Sequence, residues 1–334
     1  MNIIFDGNYL CHSRYAVIHN YLEGQEGRVL SKTEALSEKE NQARFFRKLI
    51  TDFSNVIRNF EDIERVVLVF DKNSWRKQLY PQYKDKSPKD EVGKLLQEEN
   101  KTGNEIFQKV LEKFAKHMES KGFVVIAHEG MEGDDLCYFC SDYLSSLGEE
   151  CIIISGDKDL LQVMNKNVAV YRNNSMAPAF FYYDSNSMLK IGNKIEEAVK
   201  KLKIEEVNPI THIYKKILIG DSGDKVPNLF KGLGEKTADK IIERLDSNSM
   251  LNLDLTDFQQ LDNICEVIKA TVKNSPPEEE LIMSILMNVQ LMWLNKTVYP
   301  DQTALEDVIE IIKQKLQTYS FDGEFTLDYI LDKN

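Results

Sequence analysis

The chain has 334 residues, 42% of them hydrophobic, and its 42 Lys and Arg against 54 Asp and Glu leave a formal net charge of -12. No stretch approaches the roughly 18 apolar residues of a membrane span, the N-terminus meets Asp6 too early for a secretory leader, and five cysteines are an odd number for a disulfide framework. A protein of a reducing, cytoplasmic compartment is expected, and the acidic total taken alone argues against nucleic acid, whose affinity comes largely from basic groups displacing counterions.

In chain order, the first half alternates short β-branched runs with helical patterns. Ile3-Ile4-Phe5 comes first. Next is a helix carrying Phe45, Phe46, Leu49, Ile50, Phe53, Val56, Ile57 and Phe60 at three-to-four spacing. Residues 65–70 (Arg-Val-Val-Leu-Val-Phe) form a second run. Residues 72–104 break the rhythm, being polar, lysine-rich and too long for an ordinary loop. A helix with Ile106, Val110, Leu111, Phe114 and Met118 follows, then a third run at 123–127, a helix from about 132 to 147, and Cys-Ile-Ile-Ile-Ser at 151–155. Strands alternating with helices predict an α/β fold with a parallel-sheet core. From about 200 the pattern becomes helical, so the expected division is an α/β core at 1–199 and a helical region at 200–334.

The acids fall where such a sheet binds ligands. Asp6 and Asp71 directly follow the first two strands, Asp157 and Asp159 follow the fourth, and Glu132, Asp134 and Asp135 open the helix after the third. The carboxyl ends of parallel strands are the ligand edge of open α/β sheets. Asp221 and Asp224 follow Lys-Lys-Ile-Leu-Ile-Gly in the helical region. Nine carboxylates at one edge cannot all stay ionised without cations among them, and hard divalent ions such as Mg²⁺ prefer oxygen ligands and pair with phosphates. Two such ions clamp a scissile phosphate. The five histidines show no ligand spacing. A phosphatase using strand-end aspartates would need Asp-x-Asp after the first strand, whereas Asp6-Gly7-Asn8 breaks that signature.

Val-Phe-Asp71, Tyr80-Pro81-Gln82-Tyr83-Lys84, Met131-Glu132-Gly133-Asp134-Asp135, the run Ser155 to Gln162 (Ser-Gly-Asp-Lys-Asp-Leu-Leu-Gln) and the run Gly220 to Pro227 (Gly-Asp-Ser-Gly-Asp-Lys-Val-Pro) together resemble the 5′ nuclease family. That family comprises flap endonucleases, the 5′ nuclease domain of bacterial DNA polymerase I, and phage 5′-exonucleases and ribonucleases H. The likeness spans about residues 1–245 and is nearest the phage branch.

The resemblance implies a structure-specific 5′ to 3′ nuclease, an exonuclease or flap endonuclease, acting on flaps, nicks and single-stranded 5′ ends of DNA and on RNA–DNA primers. It implies two Mg²⁺ ions, with Mn²⁺ able to substitute. Asp6, Asp71, Glu132, Asp134 and Asp135 would serve one ion, and Asp157, Asp159, Asp221 and Asp224 the other. Lys84 would act with Asp6, Asp71, Asp134, Asp135 and Asp157 at the scissile phosphate, as a cation offsetting developing charge. An inert branched-DNA-binding protein of the same fold is the alternative.

The family's lysine-rich arch maps to residues 72–104. Residues 72–94 carry seven Lys or Arg against three acids, an electrostatic footprint for a polyanion. Arg76, Lys86 and Lys89 are expected phosphate contacts, and Tyr83 a base-stacking platform. Two departures stand out: Glu-Gly-Asp-Asp replaces the bacterial Glu-Ala-Asp-Asp, and Tyr-Lys-x-x-Arg lacks its arginine. Residues 221–245 resemble a helix-hairpin-helix type element, in which Gly232, Gly234, Lys236 and Thr237 would hold duplex DNA, and carbonyls near Leu233 a monovalent cation such as K⁺. The last 85 or so residues serve packing, further DNA contact, or docking of a replication partner such as a single-stranded-DNA-binding protein or clamp. Cys137 and Cys140 are expected to be buried thiols, Trp75 and Trp293 packing residues, and Met283, Leu286, Met287 and Leu291 core residues.

Overall fold

Runs that are apolar at every position cannot face water on either side, so they must lie in a sheet covered on both faces. The computed structural model, which describes residues 1–88, 90–174, 177–184, 202–247, 257–319 and 327–331, contains that sheet. Its seven strands are β1 (Asn2–Asp6), β2 (Arg65–Phe70), β3 (Val124–Ala127), β4 (Cys151–Ile154), β5 (Val168–Arg172), β6 (Ala179–Tyr182) and β7 (Lys203–Glu206), in spatial order β3-β2-β1-β4-β5-β6-β7. All pairings are parallel except β5 with β6.

The chain moves outward from β1 to β2 and β3, then returns to β4 on the other side of β1. The strand order therefore reverses between β1 and β4. At such a switch point the flanking connections leave on opposite faces and open a crevice beyond the carboxyl ends of the strands.

Ile3 and Phe5 of β1 point into one core, with α1 (Gly7–Glu26), α3 (Lys39–Ile57) and α5 (Glu91–Ser120). Ile4 points into the other, with α6 (Gly133–Ser146) and α11 (Gln302–Gln317). A third core is purely helical. It gathers α7 (Pro209–Ile219), α8 (Glu235–Ser247), α9 (Phe258–Thr271) and α10 (Glu278–Met292), and it takes in Tyr83 from the segment after β2. Two short helices, α2 (Lys32–Ser37) and α4 (Arg76–Leu79), precede α5, and α12 (Leu327–Ile330) comes last.

Several elements differ from expectation. Helix α1 starts on β1 itself, with Asp6 as its N-cap, and its buried stripe, interrupted by Gly7 and Arg14, leaves little apolar periodicity to read. Strand β7, Lys-Ile-Glu-Glu, is a charged edge strand of the kind that discourages edge pairing, and it carries the sheet beyond residue 199. Helix α5 begins at Glu91, so its first turns occupy part of the expected 72–104 arch. The C-terminal region returns to the α/β layer: Leu305, Val308, Ile312 and Leu316 of α11 are fully buried against the sheet. At about 1.5–3 kcal/mol per fully buried aliphatic side chain, four such residues dock a helix firmly. Met283, expected in the core, is 68% exposed, whereas Leu291 is buried. Among the described residues no helix is long and apolar enough to cross a membrane.

Candidate active site

Beyond the ends of β1, β2 and β4 lies a cleft of about 650 Å³ lined by Asp6, Asp71, Glu132, Asp134, Asp157, Asp159 and Asp221. Local structure aims each acid. Asp6 ends β1 and caps α1: its Oδ1 accepts from the Tyr9 amide at 2.8 Å and its Oδ2 from the Ser155 hydroxyl at 2.8 Å. Asp71 directly follows β2 and accepts from the Gly133 amide at 2.5 Å and the Asn8 side chain at 2.9 Å. That close approach explains the glycine of Glu-Gly-Asp-Asp, because a Cβ at Gly133 would stand 2.8 Å from Asp71 Oδ1.

Burial pushes Asp6 up to about 6, against its hydrogen bonds from Tyr9 and Ser155, and the charges of Asp71 and Asp157 add to the rise. Desolvation by surrounding protein also raises Asp71, Asp134 and Asp157, although Asp71 and Asp157 present exposed faces to the cleft. Asp157 and Asp6 raise Asp134 further, and Asp159 raises Asp157. Among the described residues these four acids have no basic side chain within ion-pairing distance.

The other five are paired with cations. Glu132 accepts from Arg76, Ser74 and Tyr83 on Oε2, at 2.9, 2.9 and 3.2 Å, and from Lys84 Nζ on Oε1 at 2.6 Å. Burial would raise Glu132, yet Arg76 and Lys84 hold it below its ordinary value. Asp135 forms a bidentate pair with Arg76 at 2.7 and 2.8 Å, and it does not line the cleft. Asp159 and Asp221 share Lys216 Nζ at 2.5 and 2.6 Å. Burial raises Asp221, but Lys216 and the Gly223 and Asp224 amides take it below its usual range. Asp224 Oδ2 lies 3.7 Å from Lys84 Nζ, and burial leaves it above the ordinary value despite that lysine.

Lys84 is the hinge of this arrangement. It adopts a left-handed φ of 48°, and its amide donates to the Asp224 carbonyl at 3.0 Å. Its ammonium, with a side chain 30% exposed, faces the cleft between Glu132 and Asp224. Burial would lower its pKa, but Glu132 and the neighbouring acids lift it above the usual lysine value, so it stays charged.

Two expected DNA contacts are corrected. Arg76 is 2% exposed and is the buried counter-ion of Glu132 and Asp135; two desolvated carboxylates need a desolvated cation, and guanidinium meets a carboxylate with two parallel hydrogen bonds. Tyr83 is buried in the helical core with its hydroxyl donating to Glu132, so no ring face is open to a base. Lys86 is exposed and lines a second opening of about 410 Å³ with Asn73, Lys77, Lys84 and Gln97. Lys89 lies outside the described residues. Trp75 is buried beside Tyr299, a packing role as expected.

Around 221–245, α7 and α8 are joined by a hairpin in which Asp221 and Val226 exchange backbone hydrogen bonds at 2.9 and 2.8 Å. Gly220, at φ 66°, has no room for a Cβ, which would meet the Val226 and Pro227 carbonyls at 2.4 Å. Gly232 has φ 95°, whereas a Cβ at Gly234 would meet nothing within 4 Å. Lys236 is exposed and Thr237 half-buried on the first turn of α8.

The sequence reading missed Asn8, Ser155 and Lys216, and also His12 and His212, which line the cleft. Lys216 carried a signal: it stands five residues before Asp221 at the end of an amphipathic helix, so its side chain returns to that acid.

The donor set fits hard divalent cations, being all oxygen, with four uncompensated aspartates held toward protonation by burial and by one another. Among the described residues no three of these groups stand close enough together to ligate one ion as they are.

Residues 1–192 match the family model described as 5′-3′ exonuclease, N-terminal resolvase-like domain. A DNA polymerase I of Caldicellulosiruptor bescii is 28% identical over 152 residues, covering 43% of this chain and 15% of that one. A 5′-3′ exonuclease of Buchnera aphidicola subsp. Schizaphis graminum is 23% identical over 238 residues, 71% of this chain and 67% of that one. The chain thus spans only part of these curated relatives. The crystal structure of a bacteriophage T5 flap endonuclease, in a pseudo-enzyme-product complex with DNA and metal ions, shares the fold with a TM-score of 0.58 at 18% identity, over 95% of this chain and 99% of that one. With more than half of its length matched to the family model and its acids at the sheet's switch point, this chain belongs to the 5′-3′ exonuclease family.

Proposed function

We propose that the protein is a structure-specific 5′ nuclease, cutting DNA as an exonuclease and flap endonuclease and removing RNA primers. The observation that carries this reading is the set Asp6, Asp71, Asp134 and Asp157. These four acids converge on one cleft from three strand ends and a helix start, without a cation partner among the described residues, beside a lysine that remains charged.

These four, with Glu132, Asp159, Asp221 and Asp224 around them, would hold two Mg²⁺ ions, which Mn²⁺ could replace. Such ions supply positive charge that makes water a better nucleophile and offsets charge on the departing oxygen. Lys84 would meet the scissile phosphate, its position fixed by Glu132 and the Asp224 carbonyl, so that little reorganisation accompanies charge development. Arg76 holds Glu132 in place, and Lys216 ties the hairpin acids to the sheet. Gly232, Lys236 and Thr237 at the start of α8 would grip duplex phosphates through a helix N-terminus, with K⁺ near Leu233, and Lys86 would meet the single strand at the second opening. The products would be a 5′-phosphate and a 3′-hydroxyl.

The test is Asp157→Asn combined with Asp159→Asn. Cleavage of a 5′-labelled flap with Mg²⁺ should be abolished while flap binding persists. Cleavage at the parental rate would overturn the site.

A further inference from the structure

Helices α3 and α5 leave a groove of about 410 Å³ between them, sharing no residue with the catalytic cleft. Its floor is apolar, made by Ala43, Phe46 and Val110. Phe46 is anchored edge-on against Phe114 and His117, with ring centroids 6.5 and 5.5 Å apart, and Lys113 Nζ stands 4.8 Å from its centroid.

The rim is basic. Lys39 and Arg47 come from α3, Lys109 and Lys113 from α5, all exposed, and among the described residues no acid lines the groove. Arg47 reaches Glu40 at 2.9 Å in an exposed pair; among the described residues the three lysines have no ion-pair partner. Lys109 and Lys113 are a like-charge i, i+4 pair, which works against helix stability. In a chain of net charge -12, four cations around an apolar floor call for an anionic partner, and nothing in the cleavage chemistry uses them.

We infer that this groove docks an acidic peptide segment of another protein, which inserts a large apolar side chain beside Phe46 and Val110 while its carboxylates meet the four cations. A peptide fits better than a nucleic acid. Lys113 stands over one face of Phe46, which narrows the room for a base to stack, and a phosphate backbone gains nothing from the apolar floor that a side chain would fill. The volume lies in the range of sites that bury a compact ligand group, and a basic rim steers and orients an acidic one.

The experiment is fluorescence anisotropy with a labelled aspartate-rich peptide ending in Phe, against the parental protein and a Lys109→Glu, Lys113→Glu variant. Both lysines are exposed, and an unchanged melting temperature confirms that the variant folds. Saturable binding is expected, weakened about tenfold or more in the variant and weakened again when the peptide's Phe is replaced by Ala. Flap cleavage by the variant should equal that of the parent. Binding undiminished by the charge reversal, or indifferent to the Phe, would overturn the inference. So would an oligothymidylate that displaces the peptide and itself loses affinity in the variant, which would assign the groove to single-stranded nucleic acid.

Discussion

Replacing Asp6 with Asn removes one charge from the centre of the cleft while keeping the local hydrogen bonds. The Asn oxygen can still accept from the Tyr9 amide, and its amide can donate to Ser155, so the cap of α1 survives. Asp6 is 6% exposed, and its pKa is pushed from 3.8 to about 6, chiefly by burial. A carboxyl whose native pKa lies above its unfolded value binds its proton more tightly in the folded protein. Its contribution therefore favours folding at low pH and is lost as pH rises from about 4 through 6. By linkage the loss reaches about 3 kcal/mol at pH 8, of which about 1.4 kcal/mol falls between pH 5 and pH 8. In metal-free buffer Asp6→Asn should therefore resist urea better than the parent at pH 8, and that advantage should shrink by about 1.4 kcal/mol at pH 5. With a urea dependence of about 3 kcal/mol per M, this is a midpoint difference of about 0.5 M. Millimolar Mg²⁺ should narrow the gap at pH 8 by stabilising the parent, and flap cleavage by the variant should be lost. A stability gap independent of pH, or a variant weaker than the parent at both values, would refute the view that Asp6 is held ionised at a cost.

Arg76→Met strands Asp135 without a counter-ion and leaves Glu132 to Lys84 alone, which should cost about 3–5 kcal/mol in denaturant unfolding; unchanged stability with weaker DNA binding would instead make Arg76 a phosphate contact. Lys84→Met should slow single-turnover flap cleavage about 10²–10³-fold with much less effect on flap affinity, and equal losses in both would contradict its assigned role. Lys216→Met removes an ammonium that competes for Asp159 and Asp221, so Ca²⁺ binding measured by calorimetry should tighten; weaker binding would show that Lys216 organises these acids for the ion.

How much of the site was legible depended on how directly an acid follows a strand. Asp6 and Asp71 sit on the last position of β1 and the first after β2, so locating the strand located the acid. Asp135 looked the same on paper as Asp134, since both open α6. Successive helical positions are turned about 100° from each other, and only packing decided that one faces the cleft and the other Arg76. Arg76 and Tyr83 misled for a related reason. A lysine-rich polar segment reads as solvated, but its base inserts an arginine among buried carboxylates and a tyrosine into the helical core. Strand β7 and helix α1 escaped notice because a charged edge strand and a weakly amphipathic helix carry little of the apolar periodicity that marks regular structure.

The sequence by itself determined the alternation of strands and helices, the chemical character of the acids and their places at strand ends, because burial on both faces and helix capping are local demands written in residue type. Only the tertiary structure decided that the strand order reverses beside β1, that Lys84 and Lys216 join the helical region to the sheet, and which acids have no cation beside them among the described residues. Those outcomes rest on distances between residues far apart in the chain, such as Ser155 on Asp6, 149 positions away, at 2.8 Å, and electrostatic balance follows from distance in space rather than position in the chain.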